Sequence, residues 1–215
     1  MKALCCILNY NCNDNSDYLY NEFNKYCEAH VLDSDSKNPY PYFENVTNKY
    51  YTHQFNISIK KFKEGNYSNL IIITGDVKIS KEAIKYVCQI ANYDMGTIGV
   101  LSLQTNPKSR DWWNPFKRIG EHEIKNNRYE TNICEGFFNI IHKDVVNMHK
   151  EIPLDINKYG VCIDMYTARI ANNINKKCII DLKYLIHHPK EKSYNFEESH
   201  SYDEKFNKWI DKNLK

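Results

Sequence analysis

The chain has 215 residues, 42% of them hydrophobic, and a formal net charge of +2 at pH 7. That length suits one α/β domain with a modest appendage, and the apolar fraction is enough for a real core. The charge is too small for a nucleic-acid footprint, and no apolar run approaches the roughly 20 residues of a membrane span.

The eight cysteines form no Cys-x-x-Cys pair, which argues against zinc. Cys5 and Cys6 lie in an apolar run and Cys88, Cys162 and Cys178 in helical or strand-like stretches, so the cysteines read as reduced, mostly buried thiols. The opening MKALCCILNY is too short for a secretory signal and reads as a first core strand. A soluble protein in a reducing compartment, the cytoplasm, is therefore expected. The abundance of Asn, Lys, Ile and Tyr reads as compositional bias and not as chemistry.

Lys2 to Leu8 is an apolar run closed by the polar loop Asn9 to Asp17. The spacing of Tyr18, Leu19, Phe23 and Tyr26 predicts a helix from Asp17 to Cys27, capped by Asp14, Ser16 or Asp17. His30-Val31-Leu32 then gives a short strand ending in Asp33-Ser34-Asp35-Ser36, completing a β-α-β unit. From position alone Asp33 reads equally as a turn residue or as a contact for a ligand's base or ribose. Residues Lys37 to Tyr51 read as an exposed loop, and Phe55 to Phe62 as either strand or short helix.

Asn69 to Ser80, NLIIITGDVKIS, holds the clearest strand. Leu70 to Ile73 form an unbroken apolar run stopped by Thr74-Gly75, the mark of a strand buried on both faces. Asp76 follows at once, at the carboxyl end, where ligands bind in open α/β sheets. Ser80 is placed to cap a helix over Ser80 to Asn92, and Thr97 to Leu103 is a further buried strand.

Gln104 to Arg128 breaks the alternation. It carries Arg110, Trp112 and Trp113, and a polar loop of that length is commonly a binding loop or lid. One tryptophan there serves either as a stacking platform for a sugar or as packing for the loop itself. Glu135 to Asn139 leads into a helix from Lys143 to Lys150, and Tyr159 to Asp164 into a helix from Met165 to Asn175. Asp164 stands at that helix start, a place for a cap or for an ionised general base. Cys178–Asp181 and Lys183–Ile186 lead to His187-His188-Pro189, where strand geometry sends the two imidazoles to opposite sides. The tail, 191–215, is charged and predicts a helix packing through Phe206, Trp209 and Ile210.

The order of LNYNCND, VLDSDS, LIIITGDVKI, EGFFNIIHKDVV, YGVCIDMYTARIA and DLKYLIHHP resembles the GT-A class of nucleotide-sugar glycosyltransferases. The resemblance spans 1–190 and implies a single GT-A-like α/β domain, a mixed, mostly parallel central sheet flanked by helices. It implies a UDP-sugar donor, a glycan acceptor and Mn²⁺ or Mg²⁺ as cofactor. Leu8, Asn9, Tyr10, Asn11, Asp33 and Gly75 would line the nucleotide. Asp76 would match the last acid of the metal-binding Asp-x-Asp motif, with His187 or His188 as the later ligand. Thr74 stands where the first acid of that motif belongs, which leaves Asp76 solitary. Asp164 would match the acid that deprotonates the acceptor in inverting members, and Arg110, Trp112, Trp113 and Glu135 would face donor or acceptor. The composition and short domain are also similar to capsid-glycan glycosyltransferases of chlorella viruses. That likeness implies a glucose or rhamnose donor and the host cytoplasm. Two rivals stand beside this reading. A nucleotide-sugar pyrophosphorylase would need a Gly-rich N-terminal loop that is missing, and a carbohydrate-binding module would not need Asp76 or Asp164.

Overall fold

In the computed structural model, residues 1–47, 50–105, 127–189 and 202–214 are described. The apolar runs become β1 (Leu4–Asn9), β2 (Glu28–Asp33), β4 (Asn69–Thr74) and β5 (Ile98–Thr105). With β3 (Glu44–Asn45), β6 (Arg128–Thr131), β7 (Phe138–His142) and β8 (Lys177–Ile186) they form one sheet. Its order is β3-β2-β1-β4-β7-β5-β8-β6. Pairing is parallel throughout except at β7, antiparallel to β4 and β5, and at β6, antiparallel to β8. Six strands therefore run one way and end on one rim. The expected mixed, mostly parallel α/β sheet is what the chain forms.

Alternation along each central strand feeds two cores. Leu4, Cys6, Leu8, Leu70 and Ile72 face one side; Cys5, Ile7, Ile71 and Ile73 face the other. The first side is covered by α2 (Tyr50–Glu64), α4 (Lys143–Met148), α5 (Ile163–Asn173) and α6 (Asp203–Asn213). The second is covered by α1 (Asn13–Phe23) and α3 (Lys81–Ala91). Each fully buried Ile or Leu contributes about 1.5–3 kcal/mol by leaving water.

Some local expectations hold and others shift. Ser80 caps α3, its Oγ accepting from the Ala83 amide at 3.2 Å. Helix α1 begins at Asn13, four residues before the expected Asp17, because Asp14 sits well in the first turn of a helix whose cap position is Cys12. The ambiguous Phe55–Phe62 stretch is the centre of α2, and that helix takes in Tyr50 and Tyr51 from the expected loop. The two fragments at Cys178–Asp181 and Lys183–Ile186 are one strand. A register irregularity against β5, between Leu103 and Gln104, explains the break in its pattern. Phe206 and Ile210 of α6 are buried, and the Trp209 ring stacks on Phe206 with centroids 5.7 Å apart. None of the eight cysteines is in a disulfide; six are buried and Cys12 and Cys162 are half-buried. Among the described residues no helix is long and apolar enough to cross a membrane.

Candidate functional site

The rim where β1, β2, β4 and β8 end carries Asn9, Asp33, Asp76 and His188. Because β7 is reversed, its entry segment, Glu135 to Phe137, reaches the same rim from the opposite direction. It continues the β4 ladder: the Thr74 amide donates to the Phe137 carbonyl at 2.9 Å. Strand reversal thus places a short backbone strap beside the carboxyl ends of its neighbours.

Asn9 organises the β1 side. Its side chain is fully buried, with Nδ2 facing Asn13 Oδ1 at 2.9 Å, Asp33 Oδ1 at 2.6 Å and Ser36 Oγ at 3.1 Å. Asn9 Oδ1 accepts from Ser16 Oγ at 2.8 Å and from the Cys12 amide at 3.2 Å. Its carbonyl accepts from the Ser34 amide and from Gln54 Nε2, both at 2.9 Å. The Ser36 amide takes Asp33 Oδ2 at 3.0 Å. Asp33 is thus wholly buried with both oxygens bonded inside the protein, which fits the turn-residue side of the two readings open to it. The Leu8 side chain is core, and its carbonyl accepts from the Gly75 amide at 2.8 Å. What reaches solvent from this loop is Tyr10, 43% exposed, and Asn11, whose φ of +54° turns the chain. Gly75 is a close approach: a Cβ there would stand 2.4 Å from Ser16 Oγ.

Asp76 lies directly beyond β4 and pairs with His188, with Nε2 3.2 Å from Oδ2. The His188 ring is held by stacking on Phe137, centroids 4.4 Å apart and planes at 15°. Burial works against the Asp76 carboxylate, but His188, Thr74 and the backbone amide together outweigh it, so its pKa falls below the ordinary value. Asp76 Oδ1 is buried without a hydrogen-bond partner, an arrangement suited to a ligand cation. His187 goes the other way. Its backbone bridges to Lys78 in both directions, at 2.8 and 3.0 Å, and its side chain is exposed, so of the two alternatives it is His188 that stands beside Asp76. Among the described residues no group of three or more His, Cys, Asp and Glu could hold a metal. Asp76 and His188 therefore fit a divalent cation shared with a ligand's phosphates and do not fit a self-contained protein cage.

Asp164 is the second residue of α5, its Oδ1 accepting from the Met165 amide at 2.8 Å. Burial raises its pKa to about 6 against the opposing backbone hydrogen bonds. Tyr51 of α2 donates to the Gly136 carbonyl at 2.6 Å, and a Cβ on Gly136 would lie 3.9 Å from Asp164 Cβ. The strap thereby joins two carboxylates of opposite disposition. Phe137 supports His188 beside the low-pKa Asp76, and Gly136 adjoins the high-pKa Asp164. Environments that push two acids apart in this way separate a permanently ionised group from one able to exchange a proton near neutrality.

Glu135 begins the strap, is buried, and its carbonyl accepts from Asn139 Nδ2 at 3.0 Å. Arg110, Trp112 and Trp113 lie outside the described residues. The sequence reading missed Tyr51, Gly136 and the polar ring of Ser16, Ser36 and Gln54. The one signal for them was Gly136 beside Glu135, and it is weak.

No protein-family profile and no sequence of a characterised protein matches the chain. Solved structures do share its shape. GalNAc-T7 with UDP, GalNAc and Mn²⁺ superposes with a TM-score of 0.57 at 10% identity, covering 90% of this chain and 44% of that one. Residues 1–349 of Staphylococcus aureus TarS with UDP-GlcNAc give 0.63 at 11%, covering 99% and 66%. The glucosyl-3-phosphoglycerate synthase of Mycobacterium tuberculosis with Mn²⁺ and UDP-glucose gives 0.61 at 7%, covering 99% and 79%. The chain thus spans from under half to about four-fifths of these proteins. What it shares with them is the GT-A-type fold.

Proposed function

We propose that this protein is a glycosyltransferase that moves a sugar from a UDP-sugar to a hydroxyl of a glycan acceptor. The observation that carries the reading is the strap 135–137, whose Phe137 stacks on His188 beside the ionised Asp76 and whose Gly136 adjoins the proton-exchanging Asp164. The likeness in fold to structures holding UDP-sugars supports it. On the sequence resemblance alone we assign the donor to the glucose or rhamnose class and the product to a capsid glycan.

In this scheme Asp76 and His188 would hold Mn²⁺ or Mg²⁺ together with the donor's diphosphate, and Gly75 would let that group approach the backbone. The cation supplies charge neutralisation for the leaving nucleotide. Asn9 and Asp33 shape the loop that receives the nucleoside, and Tyr10 and Asn11 present the exposed groups. Asp164 accepts the proton of the acceptor hydroxyl as its oxygen bonds to the anomeric carbon and the bond to UDP breaks. A carboxylate with a pKa of about 6 is largely ionised at pH 7.5 yet more basic than an ordinary aspartate, as such a base requires.

Thermal denaturation with UDP, UTP and free sugars, with and without Mn²⁺, tests the reading. Stabilisation by UDP that needs the metal and is lost in Asp76→Ala is expected. UDP stabilisation indifferent to both metal and Asp76 would overturn the assignment, and selective stabilisation by UTP would favour a pyrophosphorylase. A panel of radiolabelled UDP-sugars then identifies the donor by release of UDP.

A further inference from the structure

Two of the seven glycines are placed around one phenol ring. Gly160 has φ +80°, and a Cβ on it would stand 2.2 Å from Tyr51 Cδ1; a Cβ on Gly136 would stand 3.4 Å from Tyr51 Oη. The ring lies against Phe55 of its own helix, centroids 6.2 Å apart and planes at 21°. The adjacent Thr52 amide donates to the Lys158 carbonyl at 3.3 Å, fastening the start of α2 to the turn that leads into α5. Asn157 closes that turn, with Nδ2 on the Val161 carbonyl at 2.7 Å and Oδ1 on the Gly160 amide at 3.0 Å. One side chain thereby meets the strap, the 158–160 turn and the neighbourhood of Asp164 together.

We infer that Tyr51 is a positioning residue: its ring keeps water off Asp164 and its hydroxyl fixes the strap, so that an acceptor hydroxyl and not water meets the base. The inference rests on the reading of Asp164 as general base. Transfer and hydrolysis share one chemistry. The bond from anomeric carbon to UDP breaks, a bond to the incoming oxygen forms, and the proton of that oxygen goes to Asp164. Only the identity of the incoming hydroxyl differs, so exclusion of water decides the outcome. The titratable groups facing Asp164 are the Tyr51 phenol on α2 and the thiols of Cys134 and Cys162. Burial raises the pKa of all three, so none carries charge at neutral pH, and the Asp164 carboxylate is set by its own burial against the backbone hydrogen bonds it accepts.

The test uses Tyr51→Phe and Tyr51→Ala, with Tyr51→Leu as the variant that keeps apolar bulk but cannot reach Gly136. Each is made with Asp and with Asn at position 164, and melting temperatures are compared from pH 4 to 8. The Asp–Asn difference reports the Asp164 environment whether or not sugar is transferred. Tyr51→Phe keeps the ring and retains the difference; Tyr51→Ala and Tyr51→Leu admit water and shrink it, the titration moving from about 6 toward 3.8. With donor and acceptor supplied, both truncations raise the ratio of hydrolysis to transfer, and Tyr51→Phe lowers kcat with the donor KM unchanged. A pH dependence and a partition ratio unmoved by the truncations would overturn the inference. If the titration moves as expected while the wild type releases UDP from no donor, the transferase reading falls and the wall around Asp164 stands.

Discussion

Replacing Asp164 by Asn removes one proton site while keeping the oxygen that accepts from the Met165 amide. The folded pKa of Asp164 is about 6 against an ordinary 3.8, so folding favours its protonated form. The native state then binds more protons than the unfolded chain between those values, and stability falls as pH rises through the window. At 1.36 kcal/mol per unit, a shift of just over two units is a ceiling of about 3 kcal/mol, reached above pH 6 and absent below pH 4. The variant escapes this cost. For a chain of this size 1 kcal/mol corresponds to about 2–4 °C in melting temperature, so Asp164→Asn should melt up to roughly 6–12 °C higher at pH 8. At pH 4 the two proteins should coincide. Calorimetry in matched buffers at half-unit steps checks both the sign and the window. An equal offset at all pH values, or a variant less stable at pH 8, would refute the argument that burial strains this carboxylate. Transfer activity should vanish in the same variant, so that stability is gained where function is lost.

The two adjacent histidines should behave differently. His188→Ala should weaken metal-dependent UDP binding on the order of tenfold or more, as expected for loss of a metal ligand or its support, whereas His187→Ala should leave it within error in the same titration. Asp76 should become harder to protonate in the presence of His188, so the stabilisation from the pair is present at neutral pH and lost as pH falls below the ordinary carboxylate range. His149 is fully buried beside Phe55 and Tyr166 with both ring nitrogens lacking partners, and burial followed by Lys63 lowers its pKa to about 3. Protonation of the unfolded chain below 6.5 therefore costs stability, about 2 kcal/mol by pH 5. His149→Phe should lose that acid sensitivity, as urea denaturation at pH 5 and 7.5 would show. Gly75→Ala should destabilise by about 1–3 kcal/mol through its clash with Ser16 Oγ, and Ser16→Ala in the same chain should restore part of it. Additive losses in the double variant would place the strain elsewhere.

Much of the scaffold was legible because its strands are buried on both faces. Leu4–Leu8 and Leu70–Ile73 are apolar without interruption, and the Ser80 cap announces α3. The carboxylates at strand and helix ends, Asp76 and Asp164, stood out for the same reason: each follows an apolar run. Strand direction did not, since nothing in Phe138–His142 says that it pairs antiparallel on both sides. Helix α2 was obscured by its buried polar positions. Thr52, Gln54 and Ser58 face inward beside Phe55, Ile59 and Phe62, which blurs the apolar period. Gln54 is there to bond the carbonyls of Asn9 and Leu32, a need that only the assembled sheet reveals. Asp33 was legible in part. Its position at a strand end left a turn residue and a ligand contact equally open. The bond from the Ser36 amide three residues on is an ordinary turn contact, whereas the partner Asn9 on β1 is too distant in sequence to be foreseen.

The reversed strand β7 also orders events in time. Its ladder with β4 joins Asn69 to His142 and Ile73 to Phe138, partners separated by about a third of the chain. Closing so long a loop is entropically slow to be rewarded, and such contacts form late in folding. The β1–α1–β2 half can assemble from nearer neighbours, so the nucleotide-side loop around Asn9 can exist before the strap does. Asp76, His188 and Asp164 converge only when β7 docks. A chain stalled short of that step would keep the loop around Asn9 and lack the proposed catalytic geometry, because β5, β8 and β6 join the rest of the sheet through β7.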